Sequence, residues 1–219
     1  MDREMEQNKI RLIYGTGNPA KLGAMRRRLG SLPLEILGLN DIKEELSKEA
    51  WEQIRNVEED GKTPLENARK KARTYFQVIK KPVFSCDSGL YFDNVPEEVQ
   101  PGVHVRTIHG RSYTDGEMEE YYTGLAKKYG DLRARYRNAV CLVMGPGEEY
   151  SLMDESIASE YFLITSVPHE KPCQPGFPLD RISLDIRTGK YFYDLEDEVL
   201  DRVAVEDGAL SFFGGIFGW

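Results

Sequence analysis

The sequence predicts an α/β fold in which helices flank a mixed central sheet, and two observations lead to this class. Helix and strand signals alternate over the first half of the chain, whereas strand signals dominate the second half, which favours a sheet of mixed direction. The 219 residues contain no internal repeat and no low-complexity linker, so we predict a single domain over residues 1–219. Residues 1–9 are expected to be a flexible start, and residues 212–219 form an apolar tail.

The first element is an apolar strand, Ile10–Tyr14, that enters the loop Gly15-Thr16-Gly17-Asn18. Asn18 followed by Pro19 is typical of a helix start, with Asn as the N-cap and Pro at the first helical position. A strand that leads through a glycine-containing loop into a helix presents backbone N–H groups to an anion. Lys21 could add a positive charge to a bound phosphate, although a capped helix with a surface lysine explains the same residues.

The next elements are a strand over Leu34–Leu37 and a strongly charged stretch, Asp41–Asp60, which is predicted to be helical or a mobile flap. Thr63-Pro64-Leu65-Glu66 then has the pattern of a capping box, in which Thr63 is the N-cap and Glu66 bonds back to it. Apolar residues at helical spacing mark one buried face of that helix: Leu65, Ala68, Ala72, Phe76 and Ile79. Pro82 ends the helix.

A second candidate ligand site follows this helix. Val83–Cys86 is predicted to be a buried strand, Asp87-Ser88-Gly89 a turn, and Leu90–Phe92 a resumed extended segment. An acidic residue directly after an apolar strand lies where α/β folds place ligand sites, although an aspartate that starts a turn also explains Asp87. Together with Glu66, whose simpler role is the helix cap, Asp87 would form an oxygen-rich site able to hold Mg²⁺ against phosphates.

The second half of the chain is predicted to be one helix followed by strands. In order, the elements are helix Thr114–Tyr129 closed by Gly130, strand Tyr136–Met144, the turn Gly145-Pro146-Gly147, a partner strand Ser156–Thr165, the loop Pro168–Pro178, and a hairpin of Ile182–Ile186 with Tyr191–Tyr193. These strands would complete the predicted sheet.

Composition argues against several classes of function. A net charge of −8 disfavours nucleic acid as the main partner, because binding to a phosphate backbone requires a basic face. No apolar run approaches the roughly 20 residues of a membrane span. Met1 to Lys9 lacks the apolar segment of a signal peptide, so we expect a cytoplasmic protein that binds no membrane. With only three cysteines and three histidines, a metal ion would have to be a hard cation on carboxylates.

Short motifs in a fixed order carry a resemblance that spans the chain from about Ile10 to Asp180. They are Thr16-x-Asn18-x-x-Lys21, Glu66-Asn67-Ala68-x-x-Lys71-Ala72, Asp87-Ser88-Gly89-Leu90, Pro101-Gly102-Val103 and Arg135-Tyr136-x-x-Ala139-x-Cys141, followed by a weaker Pro175-Gly176-Phe177-x-x-Asp180. In this order they resemble the inosine triphosphate pyrophosphatase family, the non-canonical purine nucleoside triphosphate pyrophosphatases.

The resemblance implies a homodimeric α/β protein with a nucleotide cleft between two lobes. It also implies that the protein uses Mg²⁺ to hydrolyse ITP, dITP or XTP to the monophosphate and pyrophosphate. The roles it implies are triphosphate binding by Thr16, Asn18 and Lys21, catalysis by Asp87 and Lys21, metal ligation by Glu66 and Asp87, lining of the phosphate path by Ser88 and Gly89, and base contacts by Phe177 and Asp180.

The chain departs from the family's pattern in three places. Cys86 stands where the family usually has a second carboxylate, and a thiol is a poor ligand for Mg²⁺. Gly176-Phe177-Pro178-Leu179-Asp180 replaces a Gly-Phe-Gly-Tyr-Asp stretch. The family's closing lysine and Ser-His-Arg segment, which reads the keto oxygens of the purine, is missing, since no lysine or histidine follows Lys190. Inosine selectivity therefore does not carry over.

Three hypotheses for the function stay open. The chain is a metal-dependent nucleoside triphosphate pyrophosphatase, a nucleotide-binding regulatory relative with impaired catalysis, or a house-cleaning pyrophosphatase for modified pyrimidine nucleotides. Asn18, Lys21, Glu66 and Asp87 favour the first hypothesis, and Cys86 motivates the second. The apolar tail is expected to pack onto the domain or a dimer partner, because an exposed apolar patch favours aggregation. Entry of the tail into the ligand site is the alternative.

Overall fold

The computed structural model describes residues 9–108, 110–175, 177–196 and 207–219. The predicted flexible start at residues 1–9 lies outside the described residues, apart from Lys9. The helices are α1 (Pro19–Arg28), α2 (Lys48–Arg55), α3 (Pro64–Ile79), α4 (Asp115–Tyr129) and α5 (Asp207–Phe217). The strands are β1 (Ile10–Tyr14), β2 (Leu34–Gly38), β3 (Val83–Phe92), β4 (Thr107–Ile108), β5 (Arg111–Ser112), β6 (Leu132–Gly145), β7 (Glu148–Leu152), β8 (Phe162–Ile164) and β9 (Ser183–Asp185).

Most of these strands form one mixed sheet in the order β2-β1-β3-β6-β8-β9, with β7 paired to β6. β1 runs parallel to β2 and β3, whereas β6 runs antiparallel to β7 and β8. β4 and β5 form a separate antiparallel pair. The predicted α/β class with a mixed sheet is therefore confirmed. Among the described residues, no helix combines the length and the apolar character that crossing a membrane requires.

The chain divides into two compact units. The described part of the first unit comprises residues 9–87, 138–157 and 207–219, and that of the second comprises residues 88–108, 110–137, 158–175 and 177–196. The strands β3 and β6 contribute residues to both units. A single domain over residues 1–219 stays a prediction.

The apolar tail packs onto the first unit through α5. Phe213 is fully buried, and its ring meets the ring of Phe84 edge to face at a centroid distance of 5.0 Å. Tyr14 of β1 stacks on the same Phe84 ring at 4.7 Å. Removing such apolar side chains from water is the main favourable contribution to folding, so α5 is part of this core.

The two predicted helix starts of the first unit agree with the structure at Asn18 and in part at Thr63. Asn18 Oδ1 accepts hydrogen bonds from the N–H groups of Ala20 and Lys21, as an N-cap does. Thr63 Oγ1 accepts a bond from the Glu66 N–H at 3.2 Å. The reciprocal bond of the capping box is absent at this described position, because Glu66 Oε2 accepts from the Lys62 N–H at 2.7 Å instead.

The predicted helical character of the charged stretch is confirmed. A 3₁₀ helix covers Leu39–Glu45, and α2 follows it. Ser47 caps α2 by accepting a bond from the Ala50 N–H at 3.1 Å. Ile54 of α2 is buried in an apolar cluster that also contains Ile13, so the helix is fixed to the first unit.

The predicted turn at Asp87-Ser88-Gly89 is wrong, because β3 runs without interruption through these residues. Beyond Gly89 the strand gains a partner that is distant in sequence, since the N–H and carbonyl groups of Leu90 and Gly102 exchange bonds of 2.9 and 3.0 Å. A Cβ atom on Gly89 would lie 3.0 Å from the Gly102 carbonyl oxygen. The glycine therefore permits a close approach of two backbones and does not mark a turn.

The predicted partner strand Ser156–Thr165 is confirmed only over β8, which pairs antiparallel with β6. The strand that directly follows the turn and pairs with β6 is β7. The sequence does not predict β7, because its residues are mostly polar. Glu149 within β7 accepts two bonds from Arg73 of α3, at 2.6 and 2.9 Å, so a charged residue is satisfied within the sheet. A 3₁₀ helix, Glu155–Ile157, precedes the short strand β8.

In the second unit, α4 packs on the sheet through buried side chains that include Met118 and Tyr122. Its predicted boundaries are confirmed. Thr114 and Glu117 form a complete capping box, with bonds of 3.3 and 2.8 Å, and Gly130 after the helix has a φ of 82°.

The predicted hairpin near the end of the second unit forms only in part. A single bridge joins Leu184 of β9 to Tyr191, and the chain then enters a 3₁₀ helix, Phe192–Asp194. Asp185 Oδ2 accepts bonds from both the N–H and the hydroxyl of Thr188, at 3.0 and 2.7 Å. This aspartate organises the turn, as Asp does when its side chain bonds to backbone further along the chain.

Candidate active site

The loop Gly15–Asn18 connects β1 to α1 and is fixed by its own backbone. The Gly15 N–H donates to the Phe84 carbonyl at 2.7 Å, and the Asn18 N–H donates to Thr16 Oγ1 at 3.1 Å. Gly15 has no room for a side chain, because a Cβ atom would lie 2.4 Å from the Tyr75 ring. The structure thus places the predicted phosphate loop at the start of a capped helix, which is a suitable position for an anion.

This loop forms one side of a cavity of about 420 Å³ in the first unit. The cavity is lined by three residues that the sequence predicts to bind triphosphate: Thr16, Asn18 and Lys21. Lys71 and Glu59 line it as well. Cys86 also lies on its wall, so the first departure from the family's pattern is located at the site itself.

Next to the cavity lies a network of four side chains, which we call the carboxylate–lysine cluster: Glu59, Asn67, Lys71 and Asp87. Lys71 Nζ donates to Asp87 Oδ1 at 2.8 Å and to Glu59 Oε2 at 3.0 Å. Asn67 Nδ2 donates to Asp87 Oδ2 at 3.1 Å, and Asn67 Oδ1 accepts from the Gly61 N–H at 2.8 Å. Both oxygens of Asp87 are therefore held in fixed positions.

The local fold explains why these residues meet. Asn67 and Lys71 are one helical turn apart on α3, so they project from the same face. That face is buried, and their residues are only 2% and 8% exposed. Asp87 is on β3, and its side chain is 12% exposed. Glu59 lies in the segment between α2 and α3, and its side chain is 51% exposed.

Burial and charge act in opposite directions on the groups of the cluster. Burial raises the pKa of Asp87, and the Lys71 ammonium and the Asn67 amide only partly offset it. Burial would lower the pKa of Lys71, but Asp87 and Glu59 outweigh it and the pKa is raised. Burial would raise the pKa of Glu59, but Lys71 outweighs it and the pKa is lowered. A carboxylate with a raised pKa is better suited to accept a proton from water.

The donor set of the cluster fits a hard divalent cation. Glu59 and Asp87 offer carboxylate oxygens on either side of Lys71, and Mg²⁺ is usually held by one or two carboxylates together with substrate phosphates. Among the described residues, no group of three or more acidic, histidine or cysteine side chains forms a metal site without a substrate. A metal at this place would take its further ligands from water and from substrate phosphates.

The sequence predicts Glu66 as the second acidic ligand, whereas the structure brings Glu59 to the lysine that holds Asp87. The Glu66 residue is exposed and its carboxylate bonds to the Lys62 N–H. Sequence reasoning missed Glu59, which lies in the charged stretch predicted as a flap. It also gave Lys71 no role, although Lys71 belongs to a motif used for the resemblance. The one available signal was an Asn67–Lys71 pair on an otherwise apolar helix face.

The remaining predicted site residues belong to the second unit. Ser88 is exposed and Gly89 is buried on β3, directly after Asp87. Phe177 is 41% exposed, and Gly176 before it lies outside the described residues. Asp180 begins a 3₁₀ helix, and burial raises its pKa to about 6.

A mixed α/β sheet with a loop suited to phosphate beside a carboxylate–lysine cluster fits a hydrolase of the class that acts on phosphate anhydrides. The chain belongs to the Ham1 family, whose sequence pattern matches residues 12–161. The resemblance drawn from the short motifs is thereby confirmed.

Individual relatives agree with this assignment. The chain is 26% identical over 211 residues to the dITP/XTP pyrophosphatase of Geobacter sulfurreducens, which covers 95% of this chain and 97% of that protein. A HAM1 protein from Coxiella burnetii has a similar structure, with a TM-score of 0.72 at 20% identity over 95% of this chain and 98% of that chain. The structure of the Staphylococcus aureus Ham1 protein gives a TM-score of 0.68 at 18% identity, and the match covers 95% of this chain and 98% of that chain.

Proposed function

We propose that this chain is a metal-dependent nucleoside triphosphate pyrophosphatase, which hydrolyses a non-canonical purine nucleotide such as ITP, dITP or XTP to the monophosphate and pyrophosphate. One observation carries the proposal: the loop with Thr16, Asn18 and Lys21 lines the same cavity as Glu59 and Lys71, and Lys71 bonds to Asp87. Phosphate binding and a carboxylate for water activation are thus combined within one unit. The Geobacter sulfurreducens relative is a dITP/XTP pyrophosphatase, which supports the same reaction.

Attack of water on the α-phosphorus, with cleavage of its bond to the bridging oxygen of the β-phosphate, gives these products. Asp87 accepts the proton of the attacking water, and Asn67 and Lys71 hold its two oxygens in place. Thr16, Asn18 and Lys21 bind the phosphates and stabilise the pyrophosphate that leaves.

Mg²⁺, when bound, neutralises charge on the phosphate oxygens. Glu59 and Asp87 would hold it, and Glu66 remains a predicted ligand from the resemblance.

Phe177 and Asp180 stay the base contacts that the resemblance implies. Phe177 is exposed enough to stack on a base, and Asp180 lies three residues further on. Ser88 and Gly89 would line the phosphate path. As the resemblance implies, we further propose a cytoplasmic homodimer that acts on a small-molecule nucleotide and on neither nucleic acid nor membranes.

The test is pyrophosphate release from ITP, dITP, XTP, dUTP and the four common triphosphates, each with Mg²⁺ and with a chelator. We expect release from at least one nucleotide and none with the chelator. Asp87→Asn should lower kcat by about 10²- to 10⁴-fold. Asp60→Asn removes a carboxylate that pairs with Lys70 at the surface, so it should leave kcat unchanged and serves as the matched control.

Absence of release from the whole panel by folded protein would contradict the proposal. If nucleotides then still raise the melting temperature, the chain is a nucleotide-binding relative without catalysis, and Cys86 at the cavity wall becomes the first residue to change. Release from dUTP alone would instead favour the third hypothesis, a house-cleaning pyrophosphatase for modified pyrimidine nucleotides.

A further inference from the structure

Helix α2 brings two side chains to the cavity that none of the family motifs contains. Trp51 and Arg55 line the same cavity as the phosphate loop. Ile54, between them, is 3% exposed and anchors the helix in the apolar cluster of the first unit. The position of Arg55 at the cavity is therefore fixed by the fold.

The structure gives Arg55 little to do in folding. Among the described residues its ion pair is with Glu52, at a distance of 3.9 Å, and both side chains are 62% exposed. Exposed pairs of this kind contribute little to stability. Its place in the last turn of α2 favours a cation there, but any basic residue would meet that need.

The charges around the cavity leave a role for this guanidinium. Three cations line the cavity, namely Lys21, Arg55 and Lys71. Lys71 is already engaged by two carboxylates, at 2.8 and 3.0 Å. Lys21 and Arg55 are thus the cavity cations best placed to meet a polyphosphate, which carries several negative charges. An arginine binds phosphate through two parallel N–H···O bonds, which a lysine cannot reproduce.

We propose that Arg55 is a further substrate-binding residue, whose guanidinium contacts the polyphosphate chain of the nucleotide, with Trp51 as the neighbouring wall. This inference rests on the proposed function. It makes α2 part of the binding site, so the charged stretch predicted as helix or flap contributes a specific ligand contact.

The experiment measures steady-state kinetics and inhibition by inorganic pyrophosphate for three variants. Arg55→Gln should raise KM and the inhibition constant for pyrophosphate about 10-fold, while kcat changes less than about 3-fold. Arg55→Lys should fall between wild type and Arg55→Gln, because it keeps the charge and loses the two-bond geometry. Lys48→Gln, on the same helix and outside the cavity lining, should match wild type.

A fluorescence titration provides a readout that does not depend on turnover. The chain has two tryptophans, so in Trp219→Phe protein the signal comes from Trp51 alone. Added pyrophosphate should change this signal, and Arg55→Gln should shift the midpoint about 10-fold to higher concentration. Melting temperatures show that each variant is folded.

The outcomes separate this inference from the proposed function. If wild type releases no pyrophosphate and Trp219→Phe protein does not respond to it in the titration, the proposed function fails. If wild type releases pyrophosphate, Trp219→Phe protein responds to it, and Arg55→Gln behaves like Lys48→Gln, the role of Arg55 is overturned. A fall in kcat with unchanged KM and unchanged pyrophosphate inhibition would overturn it as well.

Discussion

Asp87 in the first unit and Asp180 in the second are both shielded from water, but their surroundings differ. Asp87 receives an ammonium N–H from Lys71 at 2.8 Å and an amide N–H from Asn67 at 3.1 Å. For Asp180, burial is the cause of the shift that raises its pKa to about 6. The first carboxylate belongs to an ionic network that offsets part of the effect of burial on its pKa, whereas burial is the one cause of the shift at the second.

The two carboxylates contribute differently to the stability of the folded chain. A network of paired charges can stabilise the folded chain as long as all members are present. A carboxylate with a raised pKa destabilises the folded chain when it ionises, since the unfolded chain carries the charge at a lower cost. Ionised Asp180 is therefore expected to lower the stability of the folded chain.

The largest expected effect comes from removing the cation of the first region. Lys71→Met leaves Asp87 without its ammonium partner, and we expect a loss of about 3 kcal/mol in the free energy of unfolding at pH 7.5. Without Lys71 the pKa of Asp87 rises further above its unfolded value. The loss should then be smaller at pH 5, because Asp87 takes up a proton. Urea unfolding at the two pH values measures both quantities.

The adjacent lysine on α3 gives the control. Lys70 pairs with Asp60 at 2.6 Å, but the side chains are 39% and 65% exposed. Lys70→Met should therefore cost much less stability than Lys71→Met at both pH values. Equal losses for the two variants would show that the carboxylate–lysine cluster is no more than a surface ion pair, and the comparison with Asp180 would no longer hold.

Those parts of the fold that depend on adjacent residues could be predicted from the sequence. The Asn18 cap and the start and end of α4 were predicted, because these signals involve residues a few positions apart. The continuous strand through Gly89 could not be predicted, since its partner Gly102 is distant in sequence. β7 was missed because Glu149 is satisfied by Arg73 of α3, which only the folded chain brings near.

The candidate site was predictable to a similar extent. Asp87 was found because it follows an apolar run, and the phosphate loop because strand, glycine and helix signals are adjacent in sequence. Glu59 was missed because a glutamate in a charged stretch looks like solvent-exposed surface. Its role depends on Lys71, which lies 12 residues further on and is buried only when α3 packs.

A substitution at Asp180 tests the buried carboxylate of the second unit. Asp180→Asn should raise the free energy of unfolding by about 2 kcal/mol at pH 7.5, since it removes a charge that burial disfavours. The pKa of Asp180 in the folded chain is about 6, above the ordinary 3.8. Between these two pH values the folded chain keeps a proton on Asp180 that the unfolded chain has lost. Wild type thus loses stability as the pH rises through about 6, and the two proteins should converge below pH 3.8.

Urea unfolding from pH 3.5 to 7.5 measures this convergence. If Asp180→Asn is more stable than wild type by the same amount at every pH, then titration of Asp180 is not the cause. Higher stability combined with a higher KM for the nucleotide would place Asp180 at the ligand, as the resemblance implies. Higher stability with unchanged kinetics would remove Asp180 from the predicted base contacts.

Glu117, in the same unit, provides the smallest effect and the opposite sign. Its pKa is lowered from 4.5 to about 2, first by the Thr114 N–H and then by Arg111 and the Thr114 hydroxyl. Glu117→Gln should therefore be less stable than wild type at pH 7.5, by less than Asp180→Asn gains, because the group is at the surface. The folded pKa lies below the ordinary value, so this contribution is complete above pH 4.5 and is lost as the pH falls towards 2.

Unfolding curves at pH 3 and pH 6 should show the deficit of Glu117→Gln shrinking in acid, in the range where the advantage of Asp180→Asn also disappears. A deficit that stays constant with pH would mean that the capping geometry, and not the charge, sets the contribution of Glu117.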